Sequence, residues 1–524
     1  MRSVTRPILR PIVAQGELGG RGRVNAILPL DVEGGPSVAA AFGVKPLRKA
    51  WADGPLFELH NFDNPASPIT WSAKGLEADI EALAAILEVD PVTGIGGALI
   101  NIAYDQSGQS RNFTQSGDIL QKPDLWLIRG KVYYFGGGFL SVVNGNTGGN
   151  YLNVDAGVSL DMHNHAVFAL HKPYSSTNAN AATGGHQSDI FVPGGGSNGF
   201  WWWSSSENSP DAMSTGLVDT VAFDTWGAPI TAPILSISKQ VQAIVAKPTD
   251  AVMWFNEHSA SKGTPLPQGG APATGGTIGK FPYGDQDFYG GRMEALIIYD
   301  EAPSDAVATR IRQSLYNLGQ IADQTNNASR VNVLVTGASL DQGQGGDATG
   351  AYDFQHNGGG YGWVEIIADR HAREPIIWHN IAASGSTTED DLANYNGNGK
   401  WCIDPGARLN IAIVGNSAVG NDEFQGHTGA TAYAKFVDTV NAAKADGWDR
   451  VATYLFDTTG DAPGTTAYDY NVLVQANAAA LGITLLSTSV EVTPEGNNAT
   501  GHFNVLGYTQ MADQIEPGLM ALLA

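Results

Sequence analysis

The sequence predicts two folded units of different class in one chain of 524 residues. A β-sandwich over 26–322 is followed by a doubly wound α/β unit, a parallel sheet covered by helices on both faces, over 331–524. Three observations predict this. Up to about residue 322, short apolar or alternating runs recur between turn clusters such as GNTGGN and PQGGAPATGG. The chain holds 65 glycines, which favours the many turns of an all-β region. Beyond residue 330, β-branched runs alternate with stretches at helical spacing, the grammar of buried parallel strands.

The first 25 residues stand apart. Arg6-Pro7-Ile8 is echoed by Arg10-Pro11-Ile12, and residues before proline favour extended backbone, so 1–25 reads as an arm that docks onto a partner. Strands are expected at KVYYFGG near 131, HAVFALHKP near 165, PILSISKQVQAIVAK near 233, AVMWFNE near 251 and RMEALIIYDEA near 292. Residues 303–319 read as a helix with Ser304 as N-cap and Gly319 at the C′ position. A linker, 323–330, contains TNNASR.

In the second unit, strands are expected at VNVLVT (331–336), PIIWHNI (375–381), LNIAIV (409–414), RVATYLF (450–456) and ITLLST (483–488). Helices are expected at YGWVEIIADRHAR, TAYAKFVDTVNAAKADG and YDYNVLVQANAAALG. A final helix keeps Tyr508, Met511, Ile515, Leu519 and Leu522 at helical spacing, with Pro517 a source of kinking.

Composition narrows the functions. Hydrophobic residues make up 43% and charged residues 15%, as in a folded globular chain. The net charge of −23 excludes the basic footprint of a nucleic-acid binder and disfavours anionic membranes. Cys402 is the single cysteine, so no intrachain disulfide forms. No apolar run approaches the ~18 residues of a membrane span. The N-terminal arginines lead into prolines and more arginines rather than an apolar core, so classical secretion is not expected.

Ligands of doubly wound sheets sit beyond the carboxyl ends of the strands. There the sequence places Gly337-Ala338-Ser339-Leu340, Ala383-Ser384-Gly385-Ser386, GNSAVGND (415–422) and, before the last helix, Gly501-His502-Phe503-Asn504. A serine needs a base to become a nucleophile at neutral pH. A histidine, with a pKa near ~6.5, can take the proton and return it to a leaving alcohol.

These four blocks, in this order over 331–524, resemble the SGNH (GDSL-type) hydrolases, with a flavodoxin-like three-layer fold. The resemblance implies Ser339 as nucleophile and His502 as general base. It further implies oxyanion donors from the N–H groups of Ser339 and Gly385 and from an asparagine side chain. Asn416 directly follows a strand, whereas Gly420-Asn421-Asp422 is closer to the family's text, so Asn421 stays as the alternative. The sequence departs from the family twice. Ala338 stands where the first block has aspartate, and Ala499 stands three before His502 where the acidic partner is usual; the Asn498 amide oxygen or a backbone carbonyl is the alternative partner for the imidazole. No cofactor is implied.

SVAAAFGVKPLRKAW, INIAYDQSGQSRNFTQ and GGRMEALIIYDEAPSDAVATRIRQSLYNLG resemble, in that order, laminin-G-like (concanavalin A-type) modules. This implies a jelly-roll sandwich that binds glycans. The Arg-Pro-Ile start also resembles phage tail proteins. Together these imply a virion protein that binds host surface polysaccharide, attaches to tail or baseplate proteins through its arm, and removes acetyl esters. A homo-oligomer is compatible with such a fibre. The rival readings are a non-catalytic virion adhesin with a relic site, and a secreted bacterial carbohydrate esterase with an appended binding module.

Three other signals are read blandly. Gly195-Gly196-Ser197-Asn198-Gly199 matches a nucleophile elbow but lacks the strand–turn–helix context. Asp161, His163 and His165 alternate along a strand surface without the further ligands that zinc needs. Trp201-Trp202-Trp203 alternate in direction, so at least one serves the core rather than a sugar.

Overall fold

A computed structural model describes residues 27–523 except 62–66, 90–94, 116–121, 129–130, 137–150, 162–163, 174–190, 194–199, 207–208, 220–221, 226–237, 256–257, 263–272, 279–290, 322–328, 344–347, 350–351, 354–361 and 498–501. The N-terminal arm, the 195–199 glycine stretch, His163, Asn498 and Ala499 lie outside the described residues.

Between residues 38 and 299, sixteen strands join one hydrogen-bonded network, and Phe200–Ser206, Ser209–Asp219 and Ala222–Thr225 form a separate three-stranded sheet. Adjacent strands such as His165–Pro173 and Gly291–Tyr299 run antiparallel. Alternation sorts their side chains. Phe42, Val167, Ala169, Leu296 and Ile298 join the core with Phe57, Trp71 and Ile100. Their neighbours Ala41, Phe168, Leu170, Ile297 and Tyr299 face the other way, onto Val307, Ile311 and Leu315 of the helix Asp305–Gly319.

That helix corrects one expectation. Gly319 is its last residue, and Gln320 takes the left-handed cap at φ 55°. Gly319 instead lets the helix end pack closely on Leu170, whose side chain would have to shift to admit a Cβ there. His165 is a second correction. It is fully buried rather than on the strand surface, with its Nδ1 2.9 Å from the Asp161 carbonyl oxygen.

The second region is a five-stranded parallel sheet. Its strands are β1 (Val331–Val335), β2 (Ile376–Asn380), β3 (Leu409–Ile413), β4 (Arg450–Thr453) and β5 (Thr484–Leu485), in the order β2-β1-β3-β4-β5. The helices are α1 (Ser339–Gln342), α2 (Trp363–Arg370), α3 (Thr388–Asn398), α4 (Ala418–Phe424), α5 (Gly429–Asp446), α6 (Thr466–Leu481) and α7 (Val505–Leu523). Val331, Val333 and Val335 face α2 and α7, while Leu334, Ala412 and Val414 face Phe436 and Val440 of α5 and Val474 of α6. Strands covered on both faces are largely apolar, and polar residues buried in them bond one another: Asn332 Nδ2 donates to Asn410 Oδ1 at 2.9 Å, and Asn332 Oδ1 lies 2.8 Å from His379 Nε2. Helix α3 went unread in the sequence, although Thr387 and Asp390 form a capping box at its start. Helix α7 continues through Pro517 to Leu523.

The order of strands decides where a ligand can sit. From β1 the chain moves outward to β2, then returns to place β3 on the other side of β1. Loops leaving β1 and β3 therefore diverge, and a crevice opens between their carboxyl ends.

The antiparallel region contacts the edge strand of this sheet through Ser238. The Trp378 N–H of edge strand β2 donates to Ser238 Oγ at 3.0 Å. Lys172, 1% exposed on the strand His165–Pro173, pairs with Glu365 at 2.5 Å and Asp369 at 3.1 Å, both on α2.

Candidate active site at the switch point

Strand β1 ends in a turn that Gly337 makes feasible: its φ is +125°, and a Cβ there would collide with the Asp341 carboxylate. The Ala338 N–H then donates to Ser417 Oγ at 2.8 Å, and Ser339 opens the single turn of α1. Gly343, at φ 82°, closes that turn. Ser339 is half-buried, and its hydroxyl makes no hydrogen bond among the described residues.

Two further segments converge on this turn. The loop after β2 is tied to it by Ala383 N–H to the Gly337 carbonyl at 3.1 Å and Ser384 N–H to Gln342 Oε1 at 2.9 Å. Gly385 follows at the tip, exposed, at φ +81° with open space around its Cα. The loop after β3 brings Asn416 beside Ser417, itself bonded to Ala338. Asn416 is 4% exposed, and its Nδ2 has no hydrogen-bond partner among the described residues. A buried amide without a partner costs about 1–3 kcal/mol, so its retention asks for an acceptor from elsewhere.

Asn421 differs. Its Nδ2 donates to the Ser386 carbonyl at 2.8 Å, so its amide is spent on holding the Gly385 loop. His502 lies half-buried two residues before the N-cap Asn504 side of α7, whose Oδ1 accepts the Gly507 N–H at 3.1 Å. An aromatic chain, Tyr454–Phe456–Phe503–Tyr508, packs edge to face and holds this segment beyond the end of β4.

Beneath the turn lie two carboxyls that the sequence reading did not single out. Asp341 is fully buried; burial pushes its pKa up, against the pull of Ser417, Tyr454 and Trp363 as donors. Asp391, on α3, accepts Thr336 Oγ1–H at 2.9 Å and Gly337 N–H at 2.8 Å. Burial pushes the pKa of Asp391 up to about 7, against those two donors. One signal for α3 was available, the Thr387-x-x-Asp390 cap, but nothing local marks which carboxyls of α3 turn inward.

Asp391 makes stability depend on pH. Its pKa in the folded chain lies above the ~3.9 of an unfolded aspartate. The folded state therefore holds the proton more tightly, and the stability this contributes is complete below about pH 4 and lost as pH rises through about 7. In Asp391→Asn, Oδ1 accepts the Gly337 N–H and Nδ2 donates to Thr336 Oγ1, which mimics the protonated acid. Denaturation midpoints measured from pH 5 to 9 should fall less steeply for Asp391→Asn than for the wild type. Equal slopes would remove Asp391 from this role.

No family model matches the chain, and no curated protein matches it. Among solved structures it is similar to TesA, 20% identical, with 36% of this chain covering 99% of that chain at a TM-score of 0.29. It is similar to an acetyl-xylooligosaccharide esterase from Geobacillus Stearmophilus, 17% identical, with 37% of this chain covering 96% of that chain at a TM-score of 0.29. A third is an arabinofuranosidase complexed with arabinofuranosyl-alpha-1,2-xylobiose, 15% identical, with 55% of this chain covering 64% of that chain at a TM-score of 0.38. Likenesses at this level leave the chemistry to be argued from the residues.

Proposed function

We propose that the chain is a serine esterase of the SGNH type that removes acetyl groups from a polysaccharide. The observation that carries this reading is the buried, unpartnered Nδ2 of Asn416, held at the switch point one residue from the partner of the Ser339 turn. Ser339 Oγ attacks the ester carbonyl while His502 takes its proton. The N–H groups of Ser339 and Gly385 and the Asn416 amide receive the developing oxyanion, a role in which preorganised donors act strongly. His502 then protonates the sugar alcohol, and a water activated by His502 releases acetate and regenerates the serine. Asn421 serves instead as the brace of the Gly385 loop.

The rest of the reading rests on the sequence resemblances. In it the antiparallel region is a concanavalin A-like jelly roll that holds host glycan, and the arm 1–25 attaches the protein to a phage tail or baseplate. The protein then acts outside the cell, at the host surface. A fluorophosphonate probe incubated with the purified protein, followed by peptide mass spectrometry, tests the chemistry. Label on Ser339 and acetate release from acetylated polysaccharide are expected. An unlabelled Ser339 would favour the second reading, a non-catalytic virion adhesin, which Ala338 and Ala499 motivate.

Asn416→Ala supplies a separate check. Loss of one such donor should lower kcat by about 10²–10³-fold with KM little changed. Stability should hold, because the deleted Nδ2 has no partner among the described residues. A variant with wild-type kcat would remove Asn416 from the oxyanion site.

A further inference from the structure

We infer that Asp341 is the positioning residue of the nucleophile turn: its buried carboxylate, two residues beyond Ser339, ties three other segments of the fold to that turn and sets the Ser339 backbone through Ser417. This inference rests on the esterase reading. Ser417 Oγ–H donates to Asp341 Oδ2, and the Ser417 N–H approaches the same oxygen at 3.3 Å. On the other oxygen, Tyr454 O–H donates at 2.6 Å and Trp363 Nε1–H at 3.1 Å. Four donors converge on the group, two of them N–H groups that can only donate, so the site suits a side chain with an acceptor oxygen on each side.

The surroundings are built to admit it. Gly337 at the end of β1 and Gly415 at the end of β3 both leave empty the space a Cβ would fill, and in each case Asp341 Oδ2 occupies it. The effect reaches Ser339 through a short relay. Because the Ser417 O–H donates to Asp341, its Oγ lone pairs are left to accept the Ala338 N–H, which fixes the residue before the nucleophile. Asn380 Nδ2 holds the Asp341 carbonyl at 2.9 Å, so the backbone of α1 is pinned on the β2 side as well. Ala338 contributes no carboxylate of its own, and the acid that serves this turn comes from below it.

Asp341→Asn places an NH₂ against donors that need an acceptor. Either Ser417 or the Tyr454–Trp363 pair then loses its partner, and the Ala338 tether loosens. Ser417→Ala cuts the same relay while leaving the carboxylate in place. For both variants we expect kcat on p-nitrophenyl acetate to fall about 10–100-fold with KM within about twofold, the scale of a misplaced reacting group. Fluorophosphonate labelling of Ser339 should slow in parallel, measured on protein that unfolds cooperatively. If Asp341→Asn does not fold, Ser417→Ala decides alone. Labelling at the wild-type rate in a folded variant overturns the positioning role while leaving the esterase reading standing. Absence of label on the wild type sinks the esterase reading, and this inference with it.

Discussion

Alanine at position 339 is expected to lower hydrolysis of p-nitrophenyl acetate and of acetylated polysaccharide by about three to six orders of magnitude. Removal of the serine from a coupled Ser–His unit costs that much because the remaining groups have no covalent route. The fold should not notice. Ser339 Oγ makes no hydrogen bond among the described residues, so Ser339→Ala leaves no buried partner unsatisfied. The thermal midpoint of Ser339→Ala should match that of the wild type, while its turnover disappears. Equal rates for the two proteins would end the enzymatic claim.

Lys172→Met should destabilise the chain by about 3–5 kcal/mol, the usual cost of breaking a buried ion pair from one side. Methionine retains the apolar stem, so packing is largely preserved. The loss is electrostatic. Glu365 and Asp369 have side chains only 6% and 10% exposed, and without the ammonium they face each other's charge with little water to screen it. Adding Glu365→Gln and Asp369→Asn to Lys172→Met should recover much of the loss, because the uncompensated charges go with it. Chemical denaturation of the single and triple variants makes the comparison. A single variant within about 0.5 kcal/mol of the wild type would show that the antiparallel region does not support α2 through this contact. The contact has a second consequence. The same helix carries Trp363, which donates to Asp341 under the nucleophile turn, so α2 connects the antiparallel region to the candidate site.

The elements that were legible in the sequence are those set by local patterns. Val331–Val335 and Leu409–Ile413 are short β-branched or apolar runs, and Tyr508, Met511, Ile515 and Leu519 recur at helical spacing on the buried side of α7. Ser339, Gly385 and Asn416 are legible as strand-end positions because each follows such a strand or its turn. His165 was misread because alternation says which residues share a face, and it does not say whether that face is covered. Asp341 and Asp391 were missed for a related reason. An aspartate near a turn or in the first turn of a helix is ordinarily a solvated cap.

By itself, then, the sequence determined the change from strand-and-turn grammar to strand–helix alternation, and the serine, glycine, asparagine and histidine at the strand ends. Both follow from periodicity and turn chemistry within a few residues. Only the tertiary structure decided the order β2-β1-β3-β4-β5, which opens a crevice between the carboxyl ends of β1 and β3, the strands that Ser339 and Asn416 follow. It also shows how the amides of the preferred Asn416 and the alternative Asn421 differ. Asn421 spends its amide on Ser386, and Asn416 keeps its amide unspent. Hydrogen-bond accounting of this kind is non-local. A donor is satisfied or left over according to what folding brings beside it from 35 residues away, as Ser386 is brought to Asn421.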